Sequence, residues 1–103
     1  MSAEESDLSL VQRAQRGEAG AFDALVRRYQ HKVVKLVMRY VRNPTEAEDI
    51  AQDAFIKAYR ALPRFRGDSA FYTWLYRIAI NTAKNSLAAR SQSRAVGGRR
   101  RGR

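Results

Sequence analysis

The sequence predicts an all-α fold, a small bundle of about four helices followed by a disordered basic tail, and three observations carry that prediction. Apolar residues recur at intervals of three and four over most of the chain, the period of an amphipathic helix. No stretch alternates apolar and polar residues with the two-residue period of a strand. Turn and cap residues, among them Gly17, Asn43-Pro44 and the run Pro63 to Asp68, divide the periodic stretches into four.

The first helix follows Asp7, a residue type suited to capping, and carries Leu8, Val11 and Ala14 on one side before Gly17 closes it. It is expected to lie as a lid on the second helix. That helix spans Gly20 to Arg42, with Phe22, Leu25, Val26, Tyr29, Val33, Leu36, Val37 and Tyr40 at helical spacing, and Asn43 and Pro44 end it. At 1.5 Å per residue it would be roughly 33 Å long. Thr45 followed by Glu48 has the form of a capping box and opens a third helix, Glu46 to Leu62, whose narrow core face is Ala47, Ile50, Ala51, Ala54, Ala58 and Leu62. After a loop reading Pro-Arg-Phe-Arg-Gly-Asp, either Asp68 or Ser69 caps a last helix that runs to about Ala89. Gly97, Gly98 and the arginines around them have no apolar period, and residues 91–103 are expected to be disordered.

With 103 residues, 45% of them apolar, the chain has room for one modest core. There is no cysteine, which removes disulfides and thiolate metal sites and suits a reducing compartment. The apolar runs are broken by charges, and Met1 to Asp7 is acidic where a secretion signal would be basic and then apolar, so the expectation is a cytoplasmic protein without membrane insertion.

The net charge of +10 implies phosphate-bearing partners, because neutralised phosphates release condensed counterions. The charge is unevenly placed. Met1 to Asp53 holds eight Lys or Arg against nine Asp or Glu, whereas Ala54 to Arg103 holds twelve against Asp68 alone.

Three surfaces stand out. In the last helix, Phe71, Leu75, Ile78 and Thr82 have core spacing, and a separate stripe holds Trp74, Arg77, Asn81, Lys84 and Asn85. That stripe combines an aromatic platform, cations for phosphates and two amides able to pair with base edges. The loop adds Arg64, Phe65 and Arg66, so that five of the ten aromatics, from Phe65 to Tyr76, fall within twelve residues. Aromatics interleaved with cations suit unstacked bases, which gain about 1 to 3 kcal/mol each by stacking, and a Gly-containing loop could hold a flipped-out base. Phe71 and Tyr72 serve either that purpose or the core. The third surface is the outer face of the third helix, where Asp49, Gln52, Asp53, Ile56 and Arg60 recur at helical spacing. It is either an ordinary solvated face or a dock for a basic protein surface.

Other motifs carry less. His31 stands alone, without a second ligand or a paired carboxylate at metal or acid-base spacing. Arg66-Gly67-Asp68 reads as a turn and a cap. No phosphate loop and no nucleophile-base arrangement is present, so no enzyme, metal or cofactor is expected.

The run Asp49 to Leu62, followed by Phe65 to Asn85, with Tyr29-Gln-His-Lys32 upstream, resembles region 2 of the extracytoplasmic-function (ECF) sigma factors, in particular the RpoE- or AlgU-like envelope-stress branch. The resemblance covers Leu8 to Arg90. It implies that Asp49, Gln52, Asp53 and Ile56 dock on a coiled coil of the largest catalytic subunit of RNA polymerase core, with Arg60 at the end of the same face. It also implies that the loop Arg64 to Ala70, including Gly67 and Ser69, and the face with Trp74, Arg77, Asn81, Lys84 and Asn85 open the minus-ten promoter element and hold its non-template strand. RNA synthesis would belong to the polymerase, and an anti-sigma factor is an implied partner. The expected organisation is a region 2 domain over residues 7–90, a tail over 91–103, and no region 4 domain for the minus-35 element. The rival readings are a truncated sigma decoy that titrates polymerase or an anti-sigma factor, and a sequence-indifferent basic nucleic-acid binder.

Overall fold

A computed structural model describes residues 4–101, and side chains as far as residue 89. Among the described residues there are four α-helices and no strand: α1 (Asp7–Gln15), α2 (Ala19–Val37), α3 (Pro44–Ala61) and α4 (Phe71–Arg101), with a 3₁₀ turn over Leu62–Arg64 before the last. The predicted all-α bundle is therefore the observed one, with several helix ends displaced.

Ser6, not Asp7, caps α1, accepting at its hydroxyl from the Ser9 amide at 3.1 Å. Asp7 is thereby free to tie α1 to α2: its carboxylate accepts from Arg28 Nη1 at 2.7 Å and from the Tyr29 hydroxyl. That bond raises the Arg28 pKa, while burial, ahead of the Asp7 contact, pushes the Tyr29 phenol up. Leu8 and Leu10 sit about 160° apart around the helix axis, so only one can join Val11 and Ala14 against α2. It is Leu10, and Leu8 is 58% exposed. Gly17 ends the helix at φ +99°, a left-handed conformation that side chains resist.

In α2, Phe22, Leu25, Tyr29, Val33 and Val37 are buried, with Val26 and Leu36, and Tyr40 just beyond the helix, partly buried against the core. The helix ends at Val37 rather than Arg42, because the winding tightens: Arg39 and Tyr40 donate their amides three residues back, to Leu36 and Val37, at 3.1 and 2.8 Å. Val41 still reaches the core.

The cap of α3 is Asn43, whose Oδ1 accepts from the amides of Thr45 at 2.9 Å and Glu46 at 3.1 Å. Pro44 has no amide to satisfy and a backbone angle suited to the first helical position, so the helix begins there and Thr45 lies inside it instead of capping. Ala47, Ile50, Ala51, Ala54, Ala58 and Leu62 are all buried as expected, joined by Phe55. Fully enclosed alanines at 47, 54 and 58 let the neighbouring helices approach closely.

Helix α4 starts at Phe71, and neither Asp68 nor Ser69 caps it; the Ser69 hydroxyl donates to the Ala70 carbonyl at 3.3 Å. Phe71, Leu75, Ala79, Thr82 and Ala83 are buried, with Ile78 only partly so. Thr82 satisfies its hydroxyl by donating to the Ile78 carbonyl at 2.6 Å. The backbone of α4 continues to Arg101, past the end expected near Ala89. The expectation of disorder over 91–103 concerns residues whose side chains lie outside the described set.

Candidate nucleic-acid interface

The loop between the 3₁₀ turn and α4 is shaped by three constraints. Gly67 takes φ +83°, which turns the chain sharply. Phe65 donates its amide to the Leu62 carbonyl at 3.0 Å. From α1, Gln15 Nε2 then donates to the carbonyls of Leu62 at 3.0 Å and Phe65 at 2.9 Å. One side-chain amide thus pins both ends of the segment that enters the loop.

The pinned loop delivers Phe65 onto α4. Its ring lies 4.9 Å from that of Trp74 and 6.1 Å, edge-on, from that of Phe71, and Phe71 and Trp74 are 5.7 Å apart. Phe71 is core, whereas Tyr72 is about half exposed. Phe65 and Trp74 are partly buried, and both line a pocket of about 380 Å³ together with Arg64, Arg66, Asp68, Ser69 and Arg77. This is a concave site with two aromatic rings in its wall, three guanidinium groups around it and one carboxylate.

Six of the ten residues expected to meet DNA line that pocket. Asn81, Lys84 and Asn85 do not, but all three are exposed on the same α4 stripe as Trp74 and Arg77, which is about 17 Å long from Trp74 to Asn85. Gly67 lines a different hollow, of about 590 Å³, between the loop and the start of α1. From Phe71 to Ala89 the helix contains no acidic residue, so nothing on it repels a phosphate.

Away from that pocket's lining, Asp49, Gln52, Asp53, Ile56 and Arg60 are all exposed on α3, with Ile56 46% accessible. Gln52, Ile56 and Arg60 line a groove of about 490 Å³ between α2 and α3, and Asp49 and Gln52 line the hollow of about 400 Å³ beside it. Asp53 borders neither. The groove floor includes Phe22 and Tyr59, whose rings meet edge-on at 5.0 Å.

Sequence reasoning did not identify Gln15, Asp68 as a wall of the pocket, or Tyr59 in the groove. Tyr59 could have been found, since it follows Ile56 at helical spacing and is 52% exposed. Among the described residues no group of three or more His, Cys, Asp or Glu could hold a metal ion, and His31 is an exposed residue of α2. Among the same residues, no helix is long and apolar enough to cross a membrane.

Comparison with known proteins identifies the family. The family model for sigma-70 region 2 matches residues 25–94. The chain is 64% identical over 92 residues to the RNA polymerase sigma-H factor of Pseudomonas aeruginosa, and 61% identical over 92 residues to the ECF RNA polymerase sigma-E factor of Escherichia coli K12. In both cases the match covers 89% of this chain and 48% of the relative, so the chain spans about half the length of these curated relatives. Among solved structures it is similar to an engineered region 2 of sigmaE in complex with GTAAAA, with a TM-score of 0.85 and 54% identity, covering 90% of this chain and 97% of that one. It is also similar to CnrH in complex with the cytosolic domain of CnrY, with a TM-score of 0.72 and 31% identity, covering 79% and 53%. On the family model, these identities and the shared helical fold, the chain belongs to the sigma-70 region 2 family, among the ECF sigma factors.

Proposed function

We propose that the chain is the promoter-melting, core-binding part of a sigma-type initiation subunit, working in the bacterial cytoplasm and catalysing no reaction itself. The observation that carries this reading is the pocket in which Phe65, Trp74 and Arg77 converge beneath the loop of Arg64 to Ser69. An unpaired base entering it would stack on a ring and place its phosphates among Arg64, Arg66 and Arg77. Stacking contributes about 1 to 3 kcal/mol per base, enough to offset the few kcal/mol lost on unpairing.

The bases that follow would run along α4, where Asn81 and Asn85 offer paired donors and acceptors and Lys84 a phosphate contact. The neighbouring sigmaE region 2, solved with GTAAAA, supports a short A-rich single strand as the ligand. The α3 face with Asp49, Gln52, Asp53, Ile56 and Arg60 would dock on the coiled coil of the largest subunit of RNA polymerase core, its exposed Ile56 filling an apolar contact inside a polar rim. An anti-sigma partner is the natural antagonist of such a domain, and the CnrH complex with the cytosolic domain of CnrY supports one here.

The test combines capture with activity. Core polymerase should retain the wild-type chain and lose it when Asp53 is changed to Lys, and the chain with core should open a forked minus-ten probe. Retention without any opening would favour a decoy that only titrates polymerase. Equal binding of every strand with no retention on core would leave only a basic nucleic-acid binder.

A further inference from the structure

Residues 24–45 contain no acid and six cations, and Arg28 among them is neutralised by Asp7. Three others, Lys32, Lys35 and Arg39, line one concave face of about 610 Å³ with Leu36, Met38 and Tyr76. None of the three forms an ion pair among the described residues, and each is exposed. The facing residues of α4 contribute no carboxylate either, because none exists from Phe71 to Ala89. Tyr76 remains a neutral ring, its phenol held above the ordinary value by burial and then by Tyr72. The structure therefore concentrates three uncompensated charges on one concave surface and leaves them open.

We infer that the Lys32, Lys35 and Arg39 face is a second nucleic-acid contact, which grips the phosphate backbone of duplex DNA without reading its sequence. Three features select that partner. Lys32 to Arg39, on the last turns of α2 and the tightened turn after it, spans about 10 Å, opposite which a duplex presents roughly six phosphate charges. The lining has no Asn or Gln, so it lacks the paired donor and acceptor with which Asn81 and Asn85 could address a base edge. Its aromatic ring is already engaged by Tyr29 and Tyr72, at 6.5 and 6.0 Å, and Lys32 sits 5.8 Å from the Tyr29 ring, so the face offers cations rather than a free stacking platform.

The position fits a fork. Trp74 and Tyr76 lie about 160° apart around α4, so the pocket and the basic face occupy opposite flanks of one helix. With Arg77 and Lys84 on the helix surface, a duplex lying along α4 would rest on the basic flank while its opened strand turned toward Trp74. Only the assignment of that duplex to a promoter rests on the function proposed above; the contact itself does not.

The test is the triple substitution K32Q/K35Q/R39Q in the full chain, which keeps helical propensity and removes three charges. On a blunt DNA duplex lacking the hexamer, the log–log salt slope of binding should become shallower by up to about 2.7, at 0.9 for each phosphate no longer neutralised. Affinity for the single-stranded hexamer GTAAAA should stay within about twofold of wild type, because the substituted face lies away from the pocket. An unchanged duplex slope would overturn the inference, as would a loss as large on the hexamer as on the duplex. Binding to phosphatidylglycerol vesicles that falls in the variant while duplex binding persists would overturn it in favour of a lipid surface. Should the wild-type chain ignore the hexamer, the capture proposal fails, and the duplex slope still decides this face.

Discussion

Replacing Gln15 with Ala isolates the part played by α1 in the capture site. The side chain donates from Nε2 to Leu62 O at 3.0 Å and Phe65 O at 2.9 Å, and it is not itself part of the pocket lining. A neutral hydrogen bond contributes about 0.5 to 1.5 kcal/mol net, and the bond to Phe65 is exposed to competing water, so the pair should hold the loop by about 1 to 2 kcal/mol. If single-stranded DNA requires Phe65 against Trp74, Gln15→Ala transfers that ordering cost to binding and weakens affinity for GTAAAA about 5- to 30-fold. Gln15→Glu is nearly the same size but replaces the donor with an acceptor facing two carbonyls, and it should be at least as damaging. Trp74 is the only tryptophan and lies in the pocket wall, so its fluorescence reports the titration directly. Hydrogen exchange over residues 62–68 should rise in the free variant. Unchanged affinity together with unchanged exchange would refute the idea that α1 positions the loop.

Trp74→Ala and Asn81→Ala should each weaken binding to a forked minus-ten probe by about 1 to 3 kcal/mol, and equal loss on a scrambled strand would mean that these residues do not read sequence. Asp53→Lys should abolish retention on core polymerase while leaving the hexamer titration unchanged, because no residue of α3 lines the pocket. Tyr29 has its pKa raised in the folded state from an ordinary 10.0, so the folded chain holds a proton that the unfolded chain releases. Stability is therefore fully present below about pH 10 and falls as pH rises beyond it, and Tyr29→Phe should flatten that fall in thermal melts while lowering the Tm at neutral pH through loss of the bond to Asp7. A melt slope in Tyr29→Phe equal to wild type would assign the alkaline sensitivity to other groups.

The bundle was readable because its helices are long and periodic: every core position expected on α3 is buried, and on the α4 stripe Arg77, Asn81, Lys84 and Asn85 are exposed while Trp74 is partly buried. Helix ends were less legible, since they turn on competition between neighbouring residues. Thr45 and Asn43 can both cap, and Pro44 decides for Asn43 by preferring the first helical position. Leu8 and Leu10 are equally apolar, and only the approach of α2 selects between them. The α4 stripe could be found from one helix alone, whereas Gln15 acts on carbonyls 47 and 50 residues away, a pairing that no local pattern encodes. The loop residues were legible as types, aromatics among cations. Their convergence with Trp74 and Arg77 around one pocket, and Asp68 as part of its wall, needed the fold.

The most direct test is an amide chemical-shift titration of the isotope-labelled chain with GTAAAA and with a hexamer of the same bases in scrambled order. Shifts confined to residues 64–69 and to the Trp74, Arg77, Asn81 and Asn85 side of α4, with at least about tenfold tighter binding of GTAAAA, are the predicted result. Perturbations spread over α3 or the basic end of α2, or equal affinity for the two strands, would contradict the claim that this loop and helix form one strand-reading site.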